Sequence, residues 1–324
     1  MRLAILLFLS GTLLRAQSAE PLKLEKTIEL PNVQGRIDHM SIDVNGQRLF
    51  VSALGNNTLE VIDLKAGKRA NTIAGLKEPQ GALYVGNVGR LFVATSKDGT
   101  VKMFDGSSLN LLKTIEYGED ADNLRFDASR QRVYVGFGDG ALGELDTEGH
   151  KIAETKLDAH PESFQMEKGS PRIYVNLPKS RKIAVVDREA HTVVTTWGMG
   201  LDLGNYGMAL DEADHRLFAV SRFPARLLVV DTASGKIVQK LPAVGDCDDI
   251  FFDAARKRIY ASGGEGAISV FEQQDPDHYK EVARIPTVKG ARTSFFSPEL
   301  GRLYLAVRRQ GSTPAKIEVF AIGQ

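Results

Sequence analysis

The apolar positions of this chain gather into short, nearly unbroken runs, each opened by a basic residue and closed by a turn. The clearest is Arg132-Val133-Tyr134-Val135, which ends in the Gly-rich turn Gly136-Phe137-Gly138-Asp139-Gly140. β-branched and aromatic residues bounded by turn formers predict a short buried strand. The same pattern returns at Arg48, Arg90, Arg172, Arg216, Arg258 and Arg302, with spacings of 42, 42, 40, 44, 42 and 44 residues along the series of seven arginines. A period near 42 predicts tandem supersecondary units that bury their faces against one another.

Within the first repeat the pattern resolves into four strands. They run over 37–43, 48–53, 58–64 and 69–74, separated by turns at 44–47, Gly55-Asn56-Asn57 and Ala66-Gly67. The third-strand text recurs as VKMFDG, LGELDT, IAVVDR, LLVVDT and ISVFEQ, and fourth strands are expected to begin near Leu111, Lys151, Thr192, Lys236 and Lys280. Four short strands per repeat and seven repeats predict an all-β, seven-bladed β-propeller with four antiparallel strands in each blade. The seventh repeat shows only three strands, the third over 317–321. The segment LKLEKTIEL at 22–30 closely resembles the fourth-strand text NLLKTIEYG at 110–118, so the N-terminal strand is expected to complete the last blade and hide its edge.

Ahead of that strand, MRLAILLFLSGTLLRAQSA has an early Arg2, an apolar run and the small residues Ala16 and Ser18 around Gln17. This reads as a signal peptide over 1–18 followed by one propeller over 19–324, with a periplasmic or secreted location and no transmembrane segment after cleavage. Lys+Arg and Asp+Glu both number 41, so nothing in the overall charge draws the protein to nucleic acid or to an anionic membrane. A monomer is expected. The single cysteine, Cys247, rules out an intramolecular disulfide and a c-type haem attachment, and it reads as a small buried hydrophobe or an isolated thiol.

The repeat text, above all TLEVIDLKAGK at 58–68 and RIYVN at 172–176, resembles the YVTN-type, YncE-like seven-bladed propellers over essentially the whole mature chain. The closest approach to the literal YVTN signature is IYVN at 173–176. The resemblance implies an exported propeller without implying one reaction, and in architecture the chain also resembles propeller lactonases and lyases that hold a metal at the mouth. There is no GH…WD signature, and the single Trp197 does not fit the tryptophan-rich blades of quinoprotein dehydrogenases.

Candidate chemistry follows from the repeat register. Ten residues before each marker arginine stand Asp38, Gln80, Asp122, Glu162, Tyr206, Asp248 and Arg292; the next position holds His39, Gly81, Asn123, Ser163, Gly207, Asp249 and Thr293. The position after that is mostly apolar, so a polar rim is expected to give way abruptly to blade packing. The ligand-binding candidates are Asp38, His39, Gln80, Asp122, Asn123, Glu162, Tyr206, Asp248, Asp249 and Arg292. Oxygen donors from Asp38, Asp122, Asn123, Glu162 and Asp248 suit Ca²⁺ or Mg²⁺, and a nearby His39 or His160 suits Zn²⁺ instead. Bound there, a metal would polarise a carbonyl or activate water, with His39 or Glu162 as base.

Three uses of the mouth remain open on these residues: binding of a small molecule or an envelope protein, a metal-dependent lactonase- or lyase-like reaction, or a wet channel in a structural cell-envelope protein. Arg222, Arg226, Arg308, Arg309, Lys179, Arg181 and Arg292 are expected on the same face, as solvated surface charge or, alternatively, as a basic sector opposite the acids. Acids five residues before the marker arginines (Asp43, Asp127, Glu167, Asp211, Asp253) and at third-strand ends (Asp63, Asp105, Asp146, Asp187, Asp231) are read as turn hydrogen bonders or exposed ion pairs.

Overall fold

The marker strands are apolar at consecutive positions because each is buried on both faces. In the first repeat, Leu49 and Val51 pack into one apolar cluster while Phe50, between them, packs into another. Such two-sided burial removes the alternation of a half-exposed strand. The computed structural model of the protein describes residues 20–323; the leader read at 1–18 lies outside them.

Among the described residues, 28 strands form seven four-stranded antiparallel sheets. Six sheets are consecutive in sequence, from Met40–Asp43, Arg48–Ala53, Thr58–Asp63 and Lys68–Ala74 in blade 1 to Cys247–Asp253, Arg258–Gly263, Ala267–Asp275 and His278–Pro286 in blade 6. The seventh is composite: Ser294–Ser297, Arg302–Val307 and Ala315–Ile322 are completed by Leu22–Leu30. The pairing runs from Leu22 opposite Ile322 to Leu30 opposite Ala315, with one irregularity between Leu24 and Lys26. The first inner strand begins at Met40 rather than at 37; Asp38 and His39 ahead of it still bond to Ser52 of the second strand, and His39 N also donates to Gln80 O of blade 2.

The seven apolar clusters each straddle two neighbouring blades, so the core is a set of seven wedges. One joins blade 7 to blade 1 through Ile28, Leu30, Met40, Leu49, Tyr304 and Ile317. Another joins blades 5 and 6 through Phe218, Val229, Ile250, Phe271 and Cys247. Outer strands add less: Lys68–Ala74 has no buried residue. No helix among the described residues is long and apolar enough to cross a membrane.

The repeated acids are turn builders. Asp63 accepts from Ala66 N at 2.8 Å, Asp187 from Ala190 N at 2.9 Å and Asp43 from Gly46 N at 2.9 Å. Of the acids five residues before a marker arginine, Asp43 pairs with its own Arg48 at 2.7 Å, whereas Asp127 pairs with Arg188 at 3.0 Å and Asp253 with Arg256 at 3.2 Å. The conserved geometry within the repeat is therefore the turn hydrogen bond, and the ion pair varies from blade to blade.

Leu30 is fully buried in the closing strand. Leu30→Ala is expected to lower the unfolding free energy by about 2–5 kcal/mol, as for other buried Leu truncations. Equilibrium denaturation in urea measures this, and a loss under about 1 kcal/mol would mean that this strand contributes little to closure.

Candidate functional site

The innermost strand of every blade descends from the same face of the ring, so equivalent positions of seven blades converge there. All seven residues ten places before the marker arginines line one cavity of about 280 Å³, together with Arg36, Asp120, His160, Lys179 and Arg222. Backbone bonding between blades fixes the rim, as where His39 N donates to Gln80 O at 3.1 Å. At Gly207 the approach is so close that a Cβ would lie 2.8 Å from Asp248 O of the next blade, which accounts for glycine at that place in the register.

The next register position forms a waist. His39, Asn123 and Ser163 border both the mouth cavity and a second cavity below it, and Asp249 borders the lower one. The mouth itself is an interlocked set of charges. Asp38 is held by Arg36, and Asp248 by Arg222 and by Arg292 Nε at 2.5 Å; Arg292 Nη1 also reaches Asp246 at 2.8 Å. The Arg222 guanidinium lies 3.7 Å from the centre of the Tyr206 ring, a cation–π contact that pins both. Gln80 Nε2 donates to Asp120 Oδ1 at 3.0 Å. His39 stands among three carboxylates, with Nδ1 3.4 Å from Asp249 and Nε2 3.7 Å from Asp38 and 3.9 Å from Asp122. His160 donates through Nδ1 to Gly138 O at 2.6 Å and turns Nε2 toward Asp122 Oδ2 at 3.9 Å.

This setting changes protonation. Burial on its own would lower His39, but Asp249, Asp38 and Asp122 outweigh it and hold the imidazole up to about 10. Burial likewise opposes charge on His160, which its bonds to Asp122 and Gly138 raise to about 9. Burial, reinforced by the Asp122 charge, pushes the Glu162 carboxyl up to about 8, and Asp38 rises to about 6 because burial outweighs His39 and Arg36. At neutral pH the cavity therefore holds two imidazolium ions, four Lys or Arg side chains (Arg36, Lys179, Arg222, Arg292) and a neutral Glu162. Asp122 Oδ1 is buried without a hydrogen-bond partner.

Two expectations change. The nominal surplus of acid at the rim becomes a near balance, because Arg36, Lys179 and Arg222 enter the same cavity, both histidines are cationic and Glu162 is neutral. The basic residues do not form a sector opposite the acids: Arg222 and Arg292 interleave with Asp246 and Asp248, Arg226 faces Asp202 at 3.7 Å, and Arg309 reaches Pro31 O at 2.7 Å. Among the described residues no three His, Cys, Asp or Glu side chains are grouped to hold a metal ion. Asp38 and Asp248 are committed to guanidinium groups, and the Asn123 amide oxygen accepts from Arg125 at 3.4 Å. Arg36, Asp120, His160 and Asp246 share a register position twelve residues before the marker arginine; counting back two further places along the repeats would have found Arg36 and Asp120.

No protein-family profile matches the chain. It is 23% identical to "Uncharacterized protein YncE" of Salmonella typhimurium over 292 residues, which is 84% of this chain and 69% of that protein. The corresponding protein of Salmonella typhi is 22% identical over the same shares. The chain is a YncE-like propeller. Among solved structures, the YncE-like ring superposes on a chain of Kuenenia stuttgartiensis hydrazine synthase with a TM-score of 0.76 at 15% identity, covering 90% of this chain and 98% of that one. It superposes on a chain of the mitotic checkpoint complex with a TM-score of 0.79 at 12% identity, covering 100% of both. At such identities the likeness is one of fold.

The mouth makes stability depend on pH in one direction. Glu162 and Asp38 take up protons more strongly folded than unfolded, so their ionisation destabilises the fold as pH rises from their ordinary values through about 8 and about 6. His39 and His160 stabilise fully below their ordinary 6.5, and that contribution is lost as pH climbs through about 10 and about 9. Urea midpoints are expected to fall between about pH 5 and about pH 10, with Glu162→Gln flattening the part below about pH 8. A midpoint that rises over that lower range would contradict the assignment.

Cys247 is fully buried in the wedge between blades 5 and 6, where burial pushes its thiol well up. A thiol reagent such as DTNB is expected to leave the native protein unmodified and to react once urea has unfolded it. Rapid labelling of the native chain would show that this wedge opens.

Proposed function

We propose that this YncE-like propeller is exported and binds a small anion, of the polycarboxylate or phosphorylated class, in the mouth of its channel. The observation that carries the reading is the concentration of cationic donors around a cavity of about 280 Å³, with Lys179 outside any ion pair among the described residues and Glu162 held neutral. Anionic oxygens would meet charge-assisted donors from Lys179, His160 and the guanidinium edges of Arg36 and Arg292. Neutral Glu162 offers a further O–H, and the unsatisfied Asp122 Oδ1 suits a hydroxyl on the same ligand. Lys179 is exposed at the rim and, among the described residues, forms no ion pair, so it is free for a ligand.

Export rests on the N-terminal apolar run and small-residue cleavage pattern, and a periplasmic or secreted monomer is the form in which the mouth would work. Binding rather than turnover is favoured because the acids that a metal-dependent hydrolase would need as ligands are already paired with arginines. Perturbed histidines and a neutral glutamate in one cavity belong equally to ligand sites and to catalytic ones, and the proposal claims only the former.

Calorimetry with citrate and with inorganic phosphate tests the reading. Lys179→Ala is expected to weaken the better of these ligands about tenfold, or roughly 1.4 kcal/mol. Affinity is also expected to fall as pH is raised from about 7 to about 10 and the imidazolium ions are lost. Absence of binding by either anion at millimolar concentration, or affinity indifferent to Lys179, would defeat the proposal.

A further inference from the structure

Below the waist the channel changes character. Its lower cavity measures about 390 Å³ and runs toward the face that carries the turns between first and second strands. Strand alternation puts the register position two beyond the waist residues on the same channel-facing side. That position, seven before each marker arginine, holds Ser41, Leu83, Arg125, Gln165, Ala209, Phe251 and Phe295. All but Ala209 line the lower cavity.

The ring is two-sided. Blades 3 and 4 contribute Arg125 and Gln165; blades 6 and 7, across the channel, contribute Phe251 and Phe295, whose rings meet edge to face at 6.2 Å, and Leu83 comes from blade 2. Leu83, Phe251 and Phe295 are only half-buried although they sit at the centre of the ring: one side of each packs against an inter-blade cluster and the other borders the channel.

Arg125 has no counter-ion. It lies deep in the protein, and its bonds are to neutral oxygens: Leu124 O at 2.8 Å, Asn123 Oδ1 at 3.4 Å and Ser163 Oγ at 3.4 Å. Among the described residues no carboxylate stands within 4.0 Å of it. Asp249, the nearest acid bordering the same cavity, is occupied by His39 at 3.4 Å and by Ser294 N at 2.9 Å. Burial lowers the Arg125 guanidinium from its ordinary value, against the distant pull of Asp249 and Asp122. Every other channel arginine is ion-paired: Arg36 with Asp38, Arg222 with Asp248 and Arg292 with Asp246 and Asp248. A guanidinium held away from bulk water without a carboxylate is a planar fork suited to one supplied from outside.

We propose that the lower channel is a second binding site, for a small amphipathic carboxylate whose carboxylate meets Arg125 and whose aliphatic or aromatic body lies against Leu83, Phe251 and Phe295. The cavity volume is that of ordinary small-ligand pockets, and an apolar wall with a few convergent polar groups is their usual make-up. This site is separate from the mouth, where charge is dense on all sides and an apolar tail would find no wall. The waist residues His39, Asn123 and Ser163 lie between the two.

Calorimetry on the full mature chain with octanoate as probe, and with octanol and acetate as controls, tests the proposal. Octanoate is expected to bind, octanol and acetate to bind at least about tenfold more weakly, and Arg125→Gln to reduce octanoate to the level of octanol. Ser163→Asp, which sets a carboxylate where Ser163 Oγ now lies 3.4 Å from Arg125, is expected to abolish octanoate binding with the arginine still in place, so the test survives if Arg125→Gln does not fold. Equal affinity for octanoate and octanol, or an octanoate affinity unchanged in either variant, overturns the proposal. Loss of octanoate binding in Lys179→Ala with Arg125→Gln unaffected would move the ligand to the mouth, overturning this inference and leaving the anion reading above it intact. Failure of citrate and phosphate to bind, with octanoate behaving as stated, would do the reverse.

Discussion

Everything in this ring depends on one antiparallel pairing, that of Leu22–Leu30 with Ala315–Ile322. Six blades are local in sequence and assemble from neighbouring strands, but the seventh joins the two ends of the described chain. Without it Ala315–Ile322 would present an unpaired edge, and the wedge between blades 7 and 1 would lose Ile28 and Leu30 from its interior. Each buried Leu or Ile contributes on the order of 1.5–3 kcal/mol relative to exposure, so closure is comparable in size to the whole stability of an ordinary domain only when the wedge is counted together with the strand. The loop that this contact closes is nearly as long as the chain, and loop entropy grows only logarithmically with length, so the closing strand has to outweigh a cost little larger than that of a much shorter loop.

Closure also creates the site. A blade alone places one residue at the start of its inner strand; seven blades in a closed ring bring seven such residues into one cavity. Because the side chains at the mouth come from different repeats, no contiguous motif records them, yet their charges act on one another as strongly as neighbours in a compact active site. His39 is raised by carboxylates from three blades, Asp38, Asp122 and Asp249. The protonation of each group is thus a property of the ring, and opening it at blade 7 would alter the titration of residues that make no contact with blade 7.

The fold was legible in the sequence because the marker strand is buried on both faces and so leaves an unbroken apolar signature at every repeat. The closing strand was legible for a narrower reason: LKLEKTIEL and the fourth strand of blade 2, Leu111–Glu116, share the text LKTIE in part and occupy equivalent edge positions. The mouth positions followed from counting back along the register. What could not be read was the state of those residues. Asp38 and Asp248 look like free oxygen donors in a list of rim residues and are not, since Arg36 comes from two residues upstream and Arg222 from a hairpin in another blade. Side-chain pairing across blades has no period in sequence, so the nominal acid surplus of the rim is offset by groups that the register does not list. The lower ring escaped notice for another reason. Leu83, Phe251 and Phe295 look like core residues by composition, and only the alternation of the inner strand distinguishes a side chain facing the channel from one wedged between blades.

That alternation separates two kinds of position with different physical duties. Residues such as Met40, Leu124, Met208 and Ile250 point into the wedges and are constrained by volume, because a change there leaves a cavity or a clash between two blades. Residues at the mouth, the waist and the lower ring border the channel on one side, so they are constrained by pairing with one another rather than by wedge volume alone. A propeller of this kind can therefore keep its shape while its channel chemistry differs. The consequence for function is direct. In this architecture a shared fold speaks for the wedges, and the positions at the mouth, the waist and the lower ring are where relatives must be compared before any activity is carried from one to another.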